Sequence, residues 1–307
     1  MSKSKRIQQD VPSPPRRRFL FDAEGALRPV WRLAAMVAGY AILTVAARLG
    51  MGALLRALFK AWNLKAQTVA WAPGWARTLY VWQGSTVTLI VDIAAILFVA
   101  GICRVKLKRP DGAFGRWWGV GVGIAFISAA LFLVTDSLRP QWPLTRPHVT
   151  FGLLPLWALY LLTALAEELF TKGVIYDSVR RRWGLAWAVG ASALAFFLTN
   201  GGYSGTVVSG INVALMGVFC ALLFERRGLW APVGFRWGWG FFSAFLLGQS
   251  GGDRAVYRLY GVSENLLTGG DAGFVYGLWL TRILILVLAV QWLPYIVKRT
   301  RDGSLCR

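Results

Sequence analysis

Long apolar runs separated by short basic segments dominate the chain. A helix that crosses a bilayer needs about 20 predominantly apolar residues. The runs that approach this length cover residues 33–55, 80–103, 117–135, 151–176, 184–200, 205–224, 229–249 and 274–297. They are too long and too uniformly apolar for barrel strands, and lipid offers no partner to free backbone polar groups. The predicted fold class is therefore all-α, a polytopic transmembrane helix bundle of about eight spans.

The same pattern divides the chain into three parts. Residues 1–32 are expected to be a basic disordered tail, 33–297 the helical bundle, and 298–307 a short basic tail. Lys and Arg in short loops mark the cytoplasmic side of a membrane protein. The basic segments are the two tails, the loop 104–116 and the turns at 180–182 and 226–227. An even number of spans puts all of them on one side, so both termini are predicted to be cytoplasmic, although the loop 56–79 on the other side is also basic.

Composition strengthens the membrane interpretation. The chain is 56% hydrophobic and 16% charged, whereas soluble domains carry roughly 25% charged residues. Its net charge of +20 and its 16 Trp are spread between and beside the apolar runs. This distribution suits anionic headgroups and membrane interfaces better than nucleic acid. We expect the lipid bilayer as a partner and no nucleic acid, and the composition argues against a soluble enzyme.

The shortage of histidine restricts the chemistry further. The chain has one histidine, His148, and its three cysteines, Cys103, Cys220 and Cys306, are widely separated. A zinc site built from several histidines is therefore excluded, a Ser-His-Asp triad is not expected, and a disulfide framework is implausible. His148 precedes a predicted span on the outer side and is interpreted as a loop residue.

Charged residues inside the fourth span are the strongest functional signal. Glu167 and Glu168 are adjacent, and Lys172 follows Glu168 by four residues, on the same helical face. Intramembrane carboxylates are costly and usually face the bundle interior or a wet cavity. Spacing alone leaves two readings open, a buried Glu–Lys pair that fixes helix packing and a functional site.

Three segments in order resemble the motifs of the CPBP intramembrane proteases, the group of CAAX prenyl proteases and abortive-infection (Abi) proteins. Residues 167–173 resemble its first motif, Glu-Glu-x-x-x-Arg followed by Gly. Residues 196–200 align with its second, Phe-x-x-x-His, and residues 228–236 resemble the run into its third, His-x-x-x-Asn or Asp. Residues 27–32 and 267–270 resemble its amino-terminal entry and a Thr-Gly-Gly stretch near its last helix.

The resemblance implies a membrane-embedded hydrolase in which a glutamate activates water and motif histidines bind metal or the oxyanion. This chain departs from that pattern at three positions. Lys172 replaces Arg, Asn200 replaces the second-motif His, and Arg236 replaces the third-motif His. Asn is a weak metal ligand, and Arg cannot be deprotonated. Zinc is expected in intact family members, but these residues do not support it here, so we predict no cofactor.

Three functions remain open from the sequence. The first is a proteolytically impaired pseudoenzyme in the inner (cell) membrane of a bacterium, in which Arg236 and Lys172 neutralise Glu167 and Glu168 and the bundle binds a transmembrane or prenylated partner. The second is an active intramembrane endopeptidase with Glu167 or Glu168 as general base and Asn200 and Arg236 polarising the scissile carbonyl. The third is a small proton-coupled transporter that uses the intramembrane acids as a relay.

Overall fold

The computed structural model describes residues 28–61, 87–98, 112–136, 154–200, 206–247, 266–267 and 277–301, and all regular structure in these ranges is helical. The helices are α1 Pro29–Ala61, α2 Val87–Phe98, α3 Gly112–Asp136, α4 Leu154–Glu168, α5 Asp177–Trp183, α6 Leu185–Thr199, α7 Val207–Arg227, α8 Trp230–Gly240 and α9 Leu278–Arg301. Two π-helical segments, Leu169–Tyr176 and Phe241–Leu246, extend α4 and α8. The all-α prediction is thus confirmed for the described residues, and each predicted span overlaps one of these helices.

Two helices are long and apolar enough to cross a membrane by length and composition, Gly112–Val134 within α3 and Val207–Arg227 in α7. Other helices also expose large aliphatic side chains, as a lipid-facing surface would. Examples are Ile42 on α1, Leu194 on α6 and Leu286 on α9, each more than half exposed.

The structure moves several predicted boundaries. Residues 180–182 and 226–227 were expected in turns, but they form the last turns of α5 and α7. The chain reverses one or two residues later, at Gly184 with φ 88° and Gly228 with φ 77°. Glycine adopts positive φ without a Cβ clash, so it ends these helices where arginine would not. α1 begins at Pro29, inside the predicted tail, because proline is well suited to the first position of a helix.

Some sequence predictions fall outside the described residues. These are His148, residues 1–27 of the predicted tail 1–32, and most of the predicted loops 56–79, 104–116, 136–150 and 250–273.

Helix α8 lies among α3, α4 and α7 and packs most closely on α3. Glycines allow that approach. A Cβ on Gly238 would lie 2.1 Å from the Trp118 carbonyl oxygen, and one on Gly234 would lie 2.3 Å from that of Phe114. Small residues at such spacing let helix backbones come close together. The contact fixes the position of α8 and thereby of Arg236, which lies between these two glycines in the sequence.

Candidate functional site

The five residues singled out by the sequence come together in the structure. Glu167 and Glu168 end α4, Lys172 lies in the π-helical segment that follows, Asn200 caps the carboxyl end of α6, and Arg236 is on α8. Direct hydrogen bonds and ion pairs link all five. We call this group the Glu–Arg cluster.

Arg236 contacts both acids. Its Nη2 forms an ion pair with Glu167 Oε2 and donates a hydrogen bond to Asn200 Oδ1 at 2.8 Å. Its Nε lies 3.9 Å from Glu168 Oε1, which is ion-pair distance but too long for a hydrogen bond. The guanidinium therefore occupies the Oε2 side of the Glu167 carboxylate and also lies close to Glu168.

Asn200 ties α6 into the same arrangement. Its Nδ2 donates to Glu167 Oε2 at 3.2 Å and to the Phe196 carbonyl at 3.1 Å. Its Oδ1 is occupied by Arg236. Because both ends of the amide are bonded within the protein, Asn200 acts as a bridge between the acid on α4 and the cation on α8.

Lys172 neutralises the second acid. Its Nζ lies 3.1 Å from Glu168 Oε2, and both side chains are fully buried. Nζ also donates to Thr171 Oγ1 at 3.0 Å, and that hydroxyl donates to the Glu167 carbonyl at 2.7 Å. The spacing of four residues predicted the Glu–Lys pair, whereas nothing in the sequence singled out Thr171.

The two carboxylates differ in accessibility. The Glu167 side chain is 21% exposed and Arg236 is 13% exposed, while Glu168 and Lys172 are at 0%. Among the described residues, neither Glu168 oxygen nor Arg236 Nε has a hydrogen-bond partner, although their charges are paired. Any ligand of the cluster would therefore meet Glu167 first.

Phe196 is the residue whose role the sequence did not reveal. Its ring is almost fully buried, with Lys172 Nζ 4.8 Å and the Arg236 guanidinium carbon 4.5 Å from the ring centroid. Cations are attracted to the face of an aromatic ring, most strongly where water is excluded. Phe196 thus stabilises the two cations of the cluster. The sequence signal for this role was its position four residues before Asn200, in the second motif.

A third buried acid extends the polar region onto α2. Asp92 is 3% exposed and accepts a 2.6 Å hydrogen bond from Thr163 Oγ1 on α4. Thr163 precedes Glu167 by one helical turn, on the same face. Asp92 thus joins α2 to α4 by a side-chain hydrogen bond. Asn212 on α7 similarly donates to the Gly277 carbonyl and accepts from Thr281.

The donor set does not suit zinc. Among the described residues no group of three His, Cys, Asp or Glu side chains could hold a metal ion. A catalytic zinc site takes about three ligands from imidazole, thiolate and carboxylate. The cluster offers two carboxylates that already face two cations and an amide that already bonds to both sides.

The comparisons with known proteins give one match. The family model described as type II CAAX prenyl endopeptidase Rce1-like matches residues 149–242, under a third of the chain. Neither a curated protein nor a solved structure matches the chain. The matched region contains all five residues of the Glu–Arg cluster.

The match supports a relationship to the CPBP/CAAX proteases, and the resemblance predicted from the motifs is confirmed. With the two long apolar helices, it also supports a CAAX-protease-like integral membrane protein.

Proposed function

We propose that this protein is a proteolytically impaired relative of the CAAX-type intramembrane endopeptidases that binds a transmembrane or prenylated partner without cutting it. The single observation that carries the proposal is the position of Arg236, paired with Glu167 and within 3.9 Å of Glu168. A glutamate that activates water must accept a proton. Arg236 and Asn200 both bond to Glu167 Oε2, so a water molecule that is to give its proton to this oxygen must first displace them.

The second acid is blocked differently. Glu168 is fully buried and paired with Lys172, so water does not reach it without a rearrangement of the helices. Glu167 is therefore accessible but paired with a cation, and Glu168 is both paired and buried. Because the donor set also does not suit zinc, the proposal includes a metal-free site.

The proposed topology has about eight spans with both termini in the cytoplasm, in the inner membrane of a bacterium. Its support is the position of the basic helix ends. Arg180 on α5 bonds to Glu225 on α7, and Arg226 on α7 bonds to the Gln291 carbonyl on α9. The carboxyl ends of α5 and α7 therefore lie side by side, which supports placing the basic residues 180–182 and 226–227 on one side of the membrane.

The test is cleavage and binding measured on one preparation. The full chain in detergent is incubated with a fluorescent farnesylated peptide that ends in a CAAX sequence. The double variant Glu167→Gln/Glu168→Gln serves as the inactive control, and the same peptide without farnesyl is the binding control. We expect saturable binding of the farnesylated peptide and no cleavage above the control. Cleavage that disappears in the double variant would overturn the proposal.

One observation favours the active endopeptidase as a second candidate. Glu167 is partly exposed, and Arg236 and Asn200 lie beside it, with Arg236 Nε making no hydrogen bond to the described residues. Such a donor can stabilise an oxyanion without metal. Under this alternative Glu167→Gln abolishes cleavage while Lys172→Gln mainly reduces stability, which separates the two candidates.

A further inference from the structure

The carboxyl ends of α5 and α7 form a basic surface that the Glu–Arg cluster does not use. Arg180 bonds through Nε and Nη2 to Glu225 Oε1, at 3.2 and 3.0 Å, and joins α5 to α7. Tyr176 donates to the other oxygen of Glu225 at 2.6 Å. The hydrogen bond and charge of Glu225 raise the pKa of Arg180 above its ordinary value, so Arg180 stays charged.

The middle of helix α9 packs beside the carboxyl end of α7. Arg226 Nη1 donates to the Gln291 carbonyl at 2.6 Å, and its guanidinium carbon lies 4.7 Å from the centroid of the Trp292 ring. We call the surface at the ends of α5 and α7 the basic end; its cationic residues are Arg180, Arg181, Arg182, Arg226 and Arg227.

The acids at the basic end neutralise only part of this charge. Asp177 pairs with Arg181 at 2.8 Å, and Glu225 pairs with Arg180. Arg182 and Arg227 are exposed and pair with no carboxylate in the described part of the chain. Two guanidinium groups are therefore available to an anion from outside the protein.

Aromatic side chains accompany these arginines. The Arg182 guanidinium carbon lies 5.4 Å from the centroid of the Trp183 ring. Trp183 is 60% exposed and Trp187 is 70% exposed. Exposed Trp is typical of the level of lipid headgroups, where one side of the ring is apolar and the other is wet.

We propose that the basic end binds the headgroup of an anionic phospholipid through Arg182 and Arg227, with Trp183 and Trp187 at the headgroup level. Guanidinium groups match phosphate oxygens with paired N–H donors, and they are weakly hydrated, which lowers the cost of leaving water. The residual positive charge selects an anionic lipid over a zwitterionic one. This inference does not depend on whether the Glu–Arg cluster is inert.

The experiment is lipid competition on the full chain in detergent. The protein is incubated with equal amounts of phosphatidylglycerol and phosphatidylcholine, and the bound lipid is counted by native mass spectrometry. The test variant is Arg182→Gln/Arg227→Gln. The control variant is Arg48→Gln/Arg56→Gln, which removes the same charge from exposed positions on α1.

We expect the wild type and the control variant to bind phosphatidylglycerol preferentially. In the test variant its affinity should fall by roughly 30-fold, as two juxtamembrane charges predict. Equal binding of both lipids by the wild type, or the same phosphatidylglycerol affinity in test and control variants, would overturn the proposal. A second measurement needs no variant: binding by the wild type should weaken as salt is raised, because exposed charges are screened, and salt-independent binding would also overturn it.

Discussion

Arg236 and Glu167 are 69 residues apart in the chain and form an ion pair in the protein interior. The pair joins α4 to α8, and α8 is held in place by its glycine contacts with α3. In this protein the charge of the intramembrane glutamate is therefore balanced by an amino-acid side chain. The same pair that stabilises the bundle also competes with any water or ligand for Glu167.

Removal of Arg236 should destabilise the protein because it leaves buried negative charge without its partner. We expect Arg236→Ala to reduce the free energy of unfolding by about 3–5 kcal/mol and to lower the folded yield in membranes. Adding Glu167→Gln should restore part of the loss, since the unpaired charge is then gone. The measurement is thermal unfolding in detergent together with the monodisperse fraction in size-exclusion chromatography.

Arg181→Ala is the matched control, because Arg181 is 75% exposed and its pair with Asp177 lies at the surface. Exposed ion pairs contribute about 0–1 kcal/mol. If Arg236→Ala and Arg236→Ala/Glu167→Gln unfold at the same temperature, the neutralising role of Arg236 is wrong.

The Glu–Arg cluster could be predicted from the sequence because each of its parts lies in a short motif. The spacing of Glu168 and Lys172 predicts their pair, and the order of the motifs indicates that Asn200 and Arg236 approach Glu167. The π-helical segment Leu169–Tyr176 could not be predicted, since an apolar run has no pattern that separates a π turn from an α turn. Helix ends were misplaced where arginine continues a helix up to a glycine, as at Gly184 and Gly228.

Roles that depend on packing between distant segments also could not be predicted from the sequence. The cation contacts of Phe196 arise only when α4, α6 and α8 meet. The pair of Thr163 with Asp92 joins residues 71 positions apart that belong to no motif. In contrast, the spacing of Gly234 and Gly238 is a readable signal for close helix packing, and the structure shows the backbone contact that it allows.

Gly238→Ala should lower the stability of the protein although it adds only one methyl group. The added Cβ would lie 2.1 Å from the Trp118 carbonyl oxygen, so α3 and α8 must move apart. Overpacking of this kind costs about 1–3 kcal/mol. Gly240→Ala is the control on the same helix, because the nearest atoms to its Cβ would be those of the Tyr160 side chain, at 3.6 Å or more. Unfolding temperatures of the two variants test this, and equal values would show that the close contact does not limit stability.

Phe196→Leu should lower the free energy of unfolding by more than the loss of apolar packing alone, because it also removes the ring that two cations contact. Phe132 is the comparison, since it is equally buried in the same apolar cluster and no cation contact of its ring is seen among the described residues. Phe196→Leu and Phe132→Leu both remove a ring, but only Phe196→Leu removes two cation–π contacts, each about 0.5–2 kcal/mol. We expect Phe196→Leu to lower the free energy of unfolding by the larger amount. When Lys172→Met is also present, the difference between the two Phe→Leu variants should become smaller. An unchanged difference would mean that it comes from packing alone.

Zinc should not stabilise the wild-type protein. Binding would place a divalent cation beside Arg236 and Lys172, and would have to displace the bonds that Arg236 and Asn200 make to Glu167. The variant Asn200→His/Arg236→His reverses this situation, because two imidazoles beside the Glu167 carboxylate supply the three ligands that zinc prefers. We therefore expect added zinc to raise the unfolding temperature of the double variant and chelator to lower it again, with no effect of either on the wild type. Stoichiometric zinc in purified wild-type protein, measured by elemental analysis, would contradict the charge-balanced site. No response in a folded double variant would mean that residues 200 and 236 do not converge on Glu167 as the structure has them.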